Sequence, residues 1–187
     1  AAYTAVDQAE SDKTNASLLN ATAIKNMAEI ASANDALLIH FSTDYVFDGK
    51  NFKPYTENDT AAPKTIYGKT KLDGEIEVIF NAKRALIFRT SWLYSSFGNN
   101  FVKTILENSR KKKSLDVVYD QIGTPTYARD LARAVLTIIP KVSPKIRTEI
   151  YNYSNEGVSS WYDFAREIVS IEGIDCKINP ILTKDYP

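Results

Sequence analysis

Hydrophobic positions along this chain form two kinds of segment that alternate. Short apolar runs predict β-strands, and longer stretches with apolar residues three or four positions apart predict amphipathic helices. The predicted helices are residues 12–33, 65–80, 99–113, 128–139 and 160–171. The predicted strands are residues 36–42, 85–90, 115–118 and 149–153. Strands that alternate with helices of this length indicate a βαβ architecture with a mostly parallel sheet, so the predicted fold class is α/β.

The first predicted strand is apolar along its whole length. This pattern is typical of a strand buried on both faces of a parallel sheet, and His40 within it is expected to be a packed residue. Ligands of such sheets bind beyond the carboxyl ends of the strands. Polar residues follow at two of these ends, as Ser42-Thr43-Asp44 and as residues 89–92. Both ends are therefore candidate positions for a ligand site.

The helix predicted at residues 65–80 carries Tyr67 and Lys71, and its apolar side is predicted from Ile66, Leu72, Ile76, Ile79 and Phe80. Residues four positions apart lie on the same face of a helix, so the phenol and the ammonium are expected side by side. A free tyrosine has a pKa of about 10, and a neighbouring positive charge lowers it. The pair is therefore a candidate proton-transfer device. Two exposed residues on a solvated helix face would show the same spacing, so the motif alone does not distinguish a proton-transfer pair from two surface residues.

Composition excludes several classes of function. The chain has 187 residues, and its 23 Lys plus Arg balance 23 Asp plus Glu. This balance argues against nucleic acid or an anionic membrane as the main partner. No sequence run is long and apolar enough to span a bilayer. A single cysteine, Cys176, allows no internal disulfide and suits a reducing cytoplasm, which is the expected location. The sequence has no Cys/His cluster of metal-binding spacing.

Thr43, Tyr67 and Lys71 in a βαβ chain resemble the short-chain dehydrogenase/reductase superfamily, of the extended type that works on nucleotide sugars. Six local sequences narrow the resemblance to the dTDP-4-dehydrorhamnose reductases. They are AAYTAVD at 1–7, STDYVFDG at 42–49, YGKTKLDGE at 67–75, FRTSWLY at 88–94, GNNF at 98–101 and DQIGTPT at 120–126. The resemblance covers essentially the whole chain, and six segments in order are far more specific than Tyr-x-x-x-Lys alone.

The resemblance implies a reaction and three catalytic residues. The family reduces the C4 keto group of dTDP-4-dehydrorhamnose with NAD(P)H and so forms dTDP-L-rhamnose. By this resemblance, Tyr67 protonates the sugar oxygen, and Lys71 holds the nicotinamide ribose and lowers the pKa of Tyr67. Thr43 hydrogen-bonds the carbonyl. The chemistry is sound in itself, because hydride addition builds negative charge on oxygen and preplaced donors stabilise that charge.

The resemblance also implies binding residues. Thr43, Asp44 and Trp92 match positions that contact the sugar nucleotide in the family, although core packing explains Trp92 equally well. Residues 2–4 (Ala2, Tyr3 and Thr4) match a loop at the end of a cofactor-binding strand, and they join Tyr67 and Lys71 as candidate cofactor residues. The sequence does not decide between NADPH and NADH, and it does not show whether a divalent cation binds. A dTDP-sugar is the expected substrate, and a homodimer is left open.

One departure from the family concerns cofactor binding. The family begins with a strand and a glycine-rich turn whose N–H groups receive the cofactor pyrophosphate. Here all seven glycines lie at Gly49 or later. We therefore expect residues 1–95 to be an N-terminally truncated Rossmann-like NAD(P)-binding domain. Residues 96–187 are expected to be mainly a smaller α/β substrate-binding region, with some segments returning to the Rossmann domain. The family also continues past the end of this chain, so the 187 residues alone are expected to bind NADPH weakly and to turn over little.

Two alternatives stay open at this point. Nucleotide-sugar dehydratases and epimerases share the Thr, Tyr and Lys, but the dehydratases typically carry Thr-Asp-Glu, whereas Tyr45 follows Thr43-Asp44 here. This difference favours simple reduction. A non-catalytic binding protein is the second alternative, because the regulatory subunit of methionine adenosyltransferase resembles the same reductases.

Overall fold

Helices and strands alternate along residues 2–186, the part of the chain described by the computed structural model. The strands are β1 (Leu38–Thr43), β2 (Ala85–Thr90), β3 (Leu93–Tyr94), β4 (Ser114–Val118), β5 (Ile122–Gly123), β6 (Thr126–Tyr127), β7 (Thr148–Tyr153), β8 (Ser159–Ser160) and β9 (Lys177–Ile181). The α-helices are α1 (Val6–Ala9), α2 (Lys13–Ser17), α3 (Ala23–Ala33), α4 (Ile66–Asn81), α5 (Phe101–Lys111), α6 (Ala128–Ile138) and α7 (Trp161–Ile171). A π-helical turn, Leu18–Thr22, joins α2 to α3, and 3-10 turns occupy Asp44–Val46, Ile139–Lys141 and Thr183–Asp185.

The predicted α/β fold class is confirmed, and each predicted helix and strand is present. The long helix predicted at residues 12–33 is α2, the π-helical turn and α3 in succession. The prediction missed α1, the two-residue strands and β9. Strand β9 contains Pro180, which lacks the N–H of a ladder residue and therefore weakens a strand pattern. It nevertheless pairs in parallel with β4 along its whole length.

Contacts divide the chain into two compact units. The first comprises Ala1–Thr90 and Lys141–Tyr153, and the second comprises Ser91–Pro140 and Ser154–Pro187. The chain thus leaves the first unit after β2 and returns to it for β7. Which ligand each unit binds stays a prediction.

A three-stranded parallel sheet forms the centre of the first unit. Its strand order is β1-β2-β7, with Thr43, Thr90 and Tyr153 in register at the carboxyl ends. Helices α3 and α4 contribute to a core on one face of the sheet. This core consists of Ile24, Val78, Ala85 and Ile87, with Leu38, Ala82 and Ile150 packed against it. The register places the polar residues that follow β1 beside the end of β2.

The burial of β1 differs from the prediction. His40 is 6% exposed and packed, as expected, but Phe41 is 46% exposed. Successive side chains of a strand point to opposite faces, and only one face of β1 packs against α4. Phe41 lies on the other face, where its ring is 6.1 Å from that of Phe88. The prediction of burial on both faces therefore fails at Phe41, whereas Thr43, on the same face, is 5% exposed.

Helix α4 buries a face that its apolar pattern does not predict. The predicted apolar side includes Ile76, Ile79 and Phe80, which are 40%, 45% and 82% exposed. The buried residues of the helix are Gly68, Thr70, Lys71, Gly74, Glu75 and Val78. Small and polar side chains are buried here because they approach neighbouring backbone closely or form hydrogen bonds.

The core of the second unit lies between helices α5 and α7 and the parallel pair β4–β9. Its buried residues are Ile105, Val117, Ala165, Ile168, Val169, Cys176 and Ile178. Ser160 caps α7 and forms a capping box with Asp163. Across residues 2–186, no helix has both the length and the apolar character needed to cross a bilayer.

Candidate active site

The start of α4 is fixed by two hydrogen bonds, and this places Tyr67 in its first turn. The Thr65 hydroxyl accepts a hydrogen bond from the Gly68 N–H at 3.0 Å. The Glu10 carboxylate accepts one from the Ile66 N–H at 2.8 Å. N–H groups of a first helical turn have no partner within the helix, so side-chain acceptors stabilise this position.

Thr43 and Tyr67 are brought together by the turn that follows β1. The Thr43 hydroxyl accepts from the Tyr45 N–H at 3.2 Å and donates to the Asp44 carboxylate at 3.1 Å. Gly68 lets α4 contact this turn, because a Cβ at that position would lie 2.2 Å from the Tyr45 carbonyl oxygen. The Tyr45 and Tyr67 rings then meet edge to face, with centroids 5.6 Å apart.

Lys71 lies one helical turn beyond Tyr67 and is only 3% exposed. Its Nζ donates a hydrogen bond of 2.6 Å to the carbonyl oxygen of Phe41 in β1. Burial lowers the pKa of Lys71 to about 8, and the negative charge of Glu75 partly opposes this change. The ammonium is therefore held at the sheet, and its protonation changes in a pH range accessible to experiment.

The pKa of Tyr67 is raised, which corrects the prediction that Lys71 lowers it. Burial is the main cause, and the charges of Asp44 and Tyr45 act in the same direction. The nearby Thr43 hydroxyl lowers the pKa of Tyr67 but is outweighed. Tyr67 consequently keeps its proton at neutral pH.

Asp44 has an unusually high pKa. Burial raises the pKa of this carboxyl to about 6, against the hydrogen bonds from Thr43 and from the backbone, which lower it. The carboxyl beside Thr43 is therefore mostly ionised at neutral pH and takes up a proton in mildly acidic solution. Its assignment as a substrate contact stays a prediction.

The loop predicted to bind cofactor is held by Asn20, a residue that the sequence analysis missed. The Tyr3 N–H donates to the Asn20 side chain at 2.9 Å, and the Asn20 amide donates back to the Tyr3 carbonyl oxygen at 3.0 Å. Ala2 and Thr4 are exposed on either side. Asn20 is fully buried in the π-helical turn, whereas Leu18 and Leu19 beside it are half exposed. The signal available in the sequence was an asparagine within an apolar stripe. In the structure it lies in a π-helical turn, and such turns are frequent at functional sites.

Trp92 belongs to the second unit, where it is held in an aromatic stack. Its ring lies 3.4 Å from that of Trp161, centroid to centroid, at an interplanar angle of 10°. Its φ of 45° lies in the left-handed region, which bulky residues rarely adopt. Gly123 also lies against this ring, because a Cβ there would be 2.5 Å from it. Trp92 therefore packs as a structural residue, and its predicted contact with substrate is untested.

Within residues 2–186, no group of three or more His, Cys, Asp or Glu side chains is arranged to hold a metal ion. The residues of the first unit do fit one end of a dinucleotide. A phenol, a hydroxyl and an ammonium are donors suited to ribose and carboxamide oxygens, and an ammonium carries three such donors. The Phe41 carbonyl accepts one of the Lys71 hydrogens.

A parallel sheet with a Tyr-x-x-x-Lys helix on one face is typical of Rossmann-like α/β proteins of the short-chain dehydrogenase/reductase type. Comparison with solved structures agrees. A dTDP-4-dehydrorhamnose reductase from Clostridium acetobutylicum superposes with a TM-score of 0.94 at 44% identity, covering 100% of this chain and 65% of that one. The reductase from Bacillus anthracis, in complex with NADP, gives a TM-score of 0.94 at 39% identity, covering 99% and 65%.

Sequence comparison leads to the same family. A curated dTDP-4-dehydrorhamnose reductase from Salmonella typhimurium is 43% identical over 194 residues, which cover 100% of this chain and 65% of the relative. The chain thus spans slightly less than two thirds of the length of these relatives. The family profile described as RmlD substrate binding domain matches residues 1–187. The chain belongs to this family.

Proposed function

We propose that the full-length gene product reduces the C4 keto group of dTDP-4-dehydrorhamnose with NADPH and forms dTDP-L-rhamnose. The observation that carries the proposal is the position of Tyr67, with its phenol beside Thr43 at the carboxyl end of β1 and Lys71 one helical turn further on. Similarity to the reductases from Salmonella typhimurium and Clostridium acetobutylicum supports the substrate class.

Tyr67 is suited to be the proton donor. Reduction of a ketone places negative charge on the oxygen, and a donor in position stabilises it and supplies the proton. Because burial raises the pKa of Tyr67, the phenol is protonated at neutral pH and ready to donate. Thr43 can supply a second hydroxyl to the same oxygen. Its single hydrogen is donated to Asp44 in this structure, so the hydroxyl must turn from Asp44 to the substrate oxygen when the substrate binds.

NADPH is the proposed cofactor, since the similar Bacillus anthracis protein is in complex with NADP. When bound, the cofactor supplies the hydride. Lys71 would hold the nicotinamide ribose, and the loop around Tyr3, fixed by Asn20, would line the cofactor site. The glycine-rich turn that receives pyrophosphate in this fold is not among these residues, whose first glycine is Gly49. We therefore also propose that the 187 residues alone bind NADPH weakly. A fluorescence titration with NADPH tests this, and micromolar affinity would contradict it.

Tyr67→Phe in the full-length gene product tests the proposed function. The variant should lose about 100-fold or more of kcat for dTDP-4-dehydrorhamnose, the usual contribution of a positioned acid, and keep its affinity for NADPH. Tyr119→Phe removes the same hydroxyl from a side chain that is 45% exposed and should leave kcat unchanged. The proposal is wrong if the parent protein forms no dTDP-L-rhamnose, or if Tyr67→Phe forms it at the parent rate.

A cytoplasmic location, inferred from the single cysteine Cys176, and a homodimer are part of the same proposal. Sedimentation of the purified protein, and fractionation of cells that express it, measure them directly.

A further inference from the structure

A buried ion pair lies directly beneath the candidate active site. Glu75 is 1% exposed and Arg89 is 6% exposed. The Arg89 Nη2 is 2.6 Å from one carboxylate oxygen of Glu75, and its Nε is 3.0 Å from the other. Ser42 also donates a hydrogen bond to this carboxylate. One side chain of α4 is thereby bonded to β1 and β2 at once.

The network is attached to each catalytic candidate through the backbone. Tyr67, Lys71 and Glu75 succeed one another at intervals of four residues, so they lie along one face of α4. Ser42 immediately precedes Thr43. Between them, the Phe41 carbonyl and the Ser42 hydroxyl bind Lys71 and Glu75, so two consecutive residues of β1 hold two consecutive turns of α4.

Stability alone does not account for this arrangement. Removing two charges from water costs several kcal/mol per ion, and well-packed apolar residues of similar volume are often equally or more stabilising. In addition, the Arg89 Nη1 is buried without a hydrogen-bond partner among the described residues, which adds to the cost. A buried pair with this geometry is better explained by a role in positioning the neighbouring residues of β1 and α4.

We propose that Glu75 is a positioning residue for the reaction, which holds the charged Lys71 and the Thr43 hydroxyl in place through its bonds to Arg89 and Ser42. This inference rests on the proposed function for its consequence in catalysis. Its structural part, the control of Lys71 by Glu75, does not depend on which substrate is reduced.

The charges around Lys71 predict the direction in which its pKa changes when Glu75 is neutralised. Glu75, on the same helix, is the charged group that raises the pKa of Lys71 against the effect of burial. His40 faces Lys71 from β1 but is neutral, because burial and the charge of Lys71 lower its pKa to about 3. Arg89, on β2, carries the other nearby positive charge and is paired with Glu75. Removing the carboxylate therefore leaves cations without compensation, and Lys71 should lose its proton at lower pH.

The experiment uses the full-length gene product with ¹³C-labelled lysine, in which the Lys71 resonance is assigned by its loss in Lys71→Arg. In Glu75→Gln the Lys71 titration should move down by about one pH unit, the size of shift caused by a neighbouring opposite charge. The decline of kcat at alkaline pH should move with it. Asp73→Asn makes the same charge change at an exposed position of α4 and should move neither.

A second variant separates positioning from folding. Glu75→Gln with Arg89→Met removes both buried charges and should recover the melting temperature of the parent, but not its Lys71 titration or its kcat. Recovery of all three would overturn the inference, as would an unchanged Lys71 titration in both variants. A parent that reduces no dTDP-4-dehydrorhamnose would contradict the proposed function instead, and the Lys71 titration would still decide the role of Glu75.

Discussion

The side-chain amide of Asn20 donates a hydrogen bond of 3.1 Å to the hydroxyl of Thr70. This bond joins the π-helical turn to α4 at the residue before Lys71. The same amide group is bonded in both directions to the backbone of Tyr3. Asn20 therefore connects the loop predicted to bind cofactor with the helix that carries the candidate catalytic residues.

Asn20→Ala should affect both stability and cofactor binding. Truncation removes the partner of the partly buried backbone N–H and carbonyl of Tyr3 and of the buried Thr70 hydroxyl. The cost is about 1–3 kcal/mol in the free energy of unfolding. The KM for NADPH should rise because the loop is released. Urea unfolding and steady-state kinetics measure the two effects. Asn26→Ala, at an exposed position of α3, is the matched control and should change neither.

Gly68→Ala tests the close approach between α4 and the turn after β1. A methyl group at this position would lie 2.2 Å from the Tyr45 carbonyl oxygen, so the helix or the turn must shift. Such overpacking costs about 1–3 kcal/mol, and the shift separates Tyr67 from Thr43. We expect a fall in kcat that is larger than the loss of stability explains. Lys69→Ala changes the exposed neighbouring residue and should retain kcat; equal kcat in both variants would show that the approach is not needed.

The sequence predicted the order of elements well because apolar periodicity reports local structure directly. It also predicted that Tyr67 and Lys71 share a face of α4, since helical spacing requires this. The same periodicity was misleading about which face is buried. Ile79 and Phe80 looked like core residues, whereas the buried side of α4 carries Glu75 and two glycines. Polar burial depends on partners from β1 and β2, which are distant in sequence.

The pKa of Tyr67 illustrates a second limit. Sequence places a cation four residues away and suggests a lowered value. The structure directs Lys71 to the Phe41 carbonyl and buries the phenol, so the value is raised. Desolvation is a property of the packed site, and the spacing of two residues along a helix does not report it.

Gly123→Ala tests whether the stacked position of Trp92 serves substrate binding. The added methyl would lie 2.5 Å from the Trp92 ring and should displace the ring from its stacked position. If Trp92 contacts the sugar nucleotide, KM for dTDP-4-dehydrorhamnose should rise about tenfold or more, the effect of losing roughly 1.4 kcal/mol of binding, while KM for NADPH stays the same. Ile122→Ala changes the neighbouring residue of β5, which is 65% exposed, and is the control. An unchanged KM for the sugar, with altered tryptophan fluorescence, would assign Trp92 to packing alone.

His40 should make the protein less stable in mild acid. Its pKa is lowered from 6.5 to about 3 in the folded state, mainly by burial. Below pH 6.5 the unfolded chain therefore binds a proton that the folded chain does not, and stability falls as pH falls. Between neutral pH and about pH 5 this amounts to about 2 kcal/mol.

His40→Asn should remove this part of the pH dependence, and urea unfolding at both pH values measures it. The comparison is made between the pH differences of parent and variant, so that lost packing cancels.

Asp44 acts in the opposite direction, because its raised pKa of about 6 makes the folded chain bind the extra proton in acid. In Asp44→Asn the free energy of unfolding should accordingly fall more steeply between neutral pH and about pH 5. If the parent and both variants all keep the same free energy of unfolding at the two pH values, neither group is buried as described.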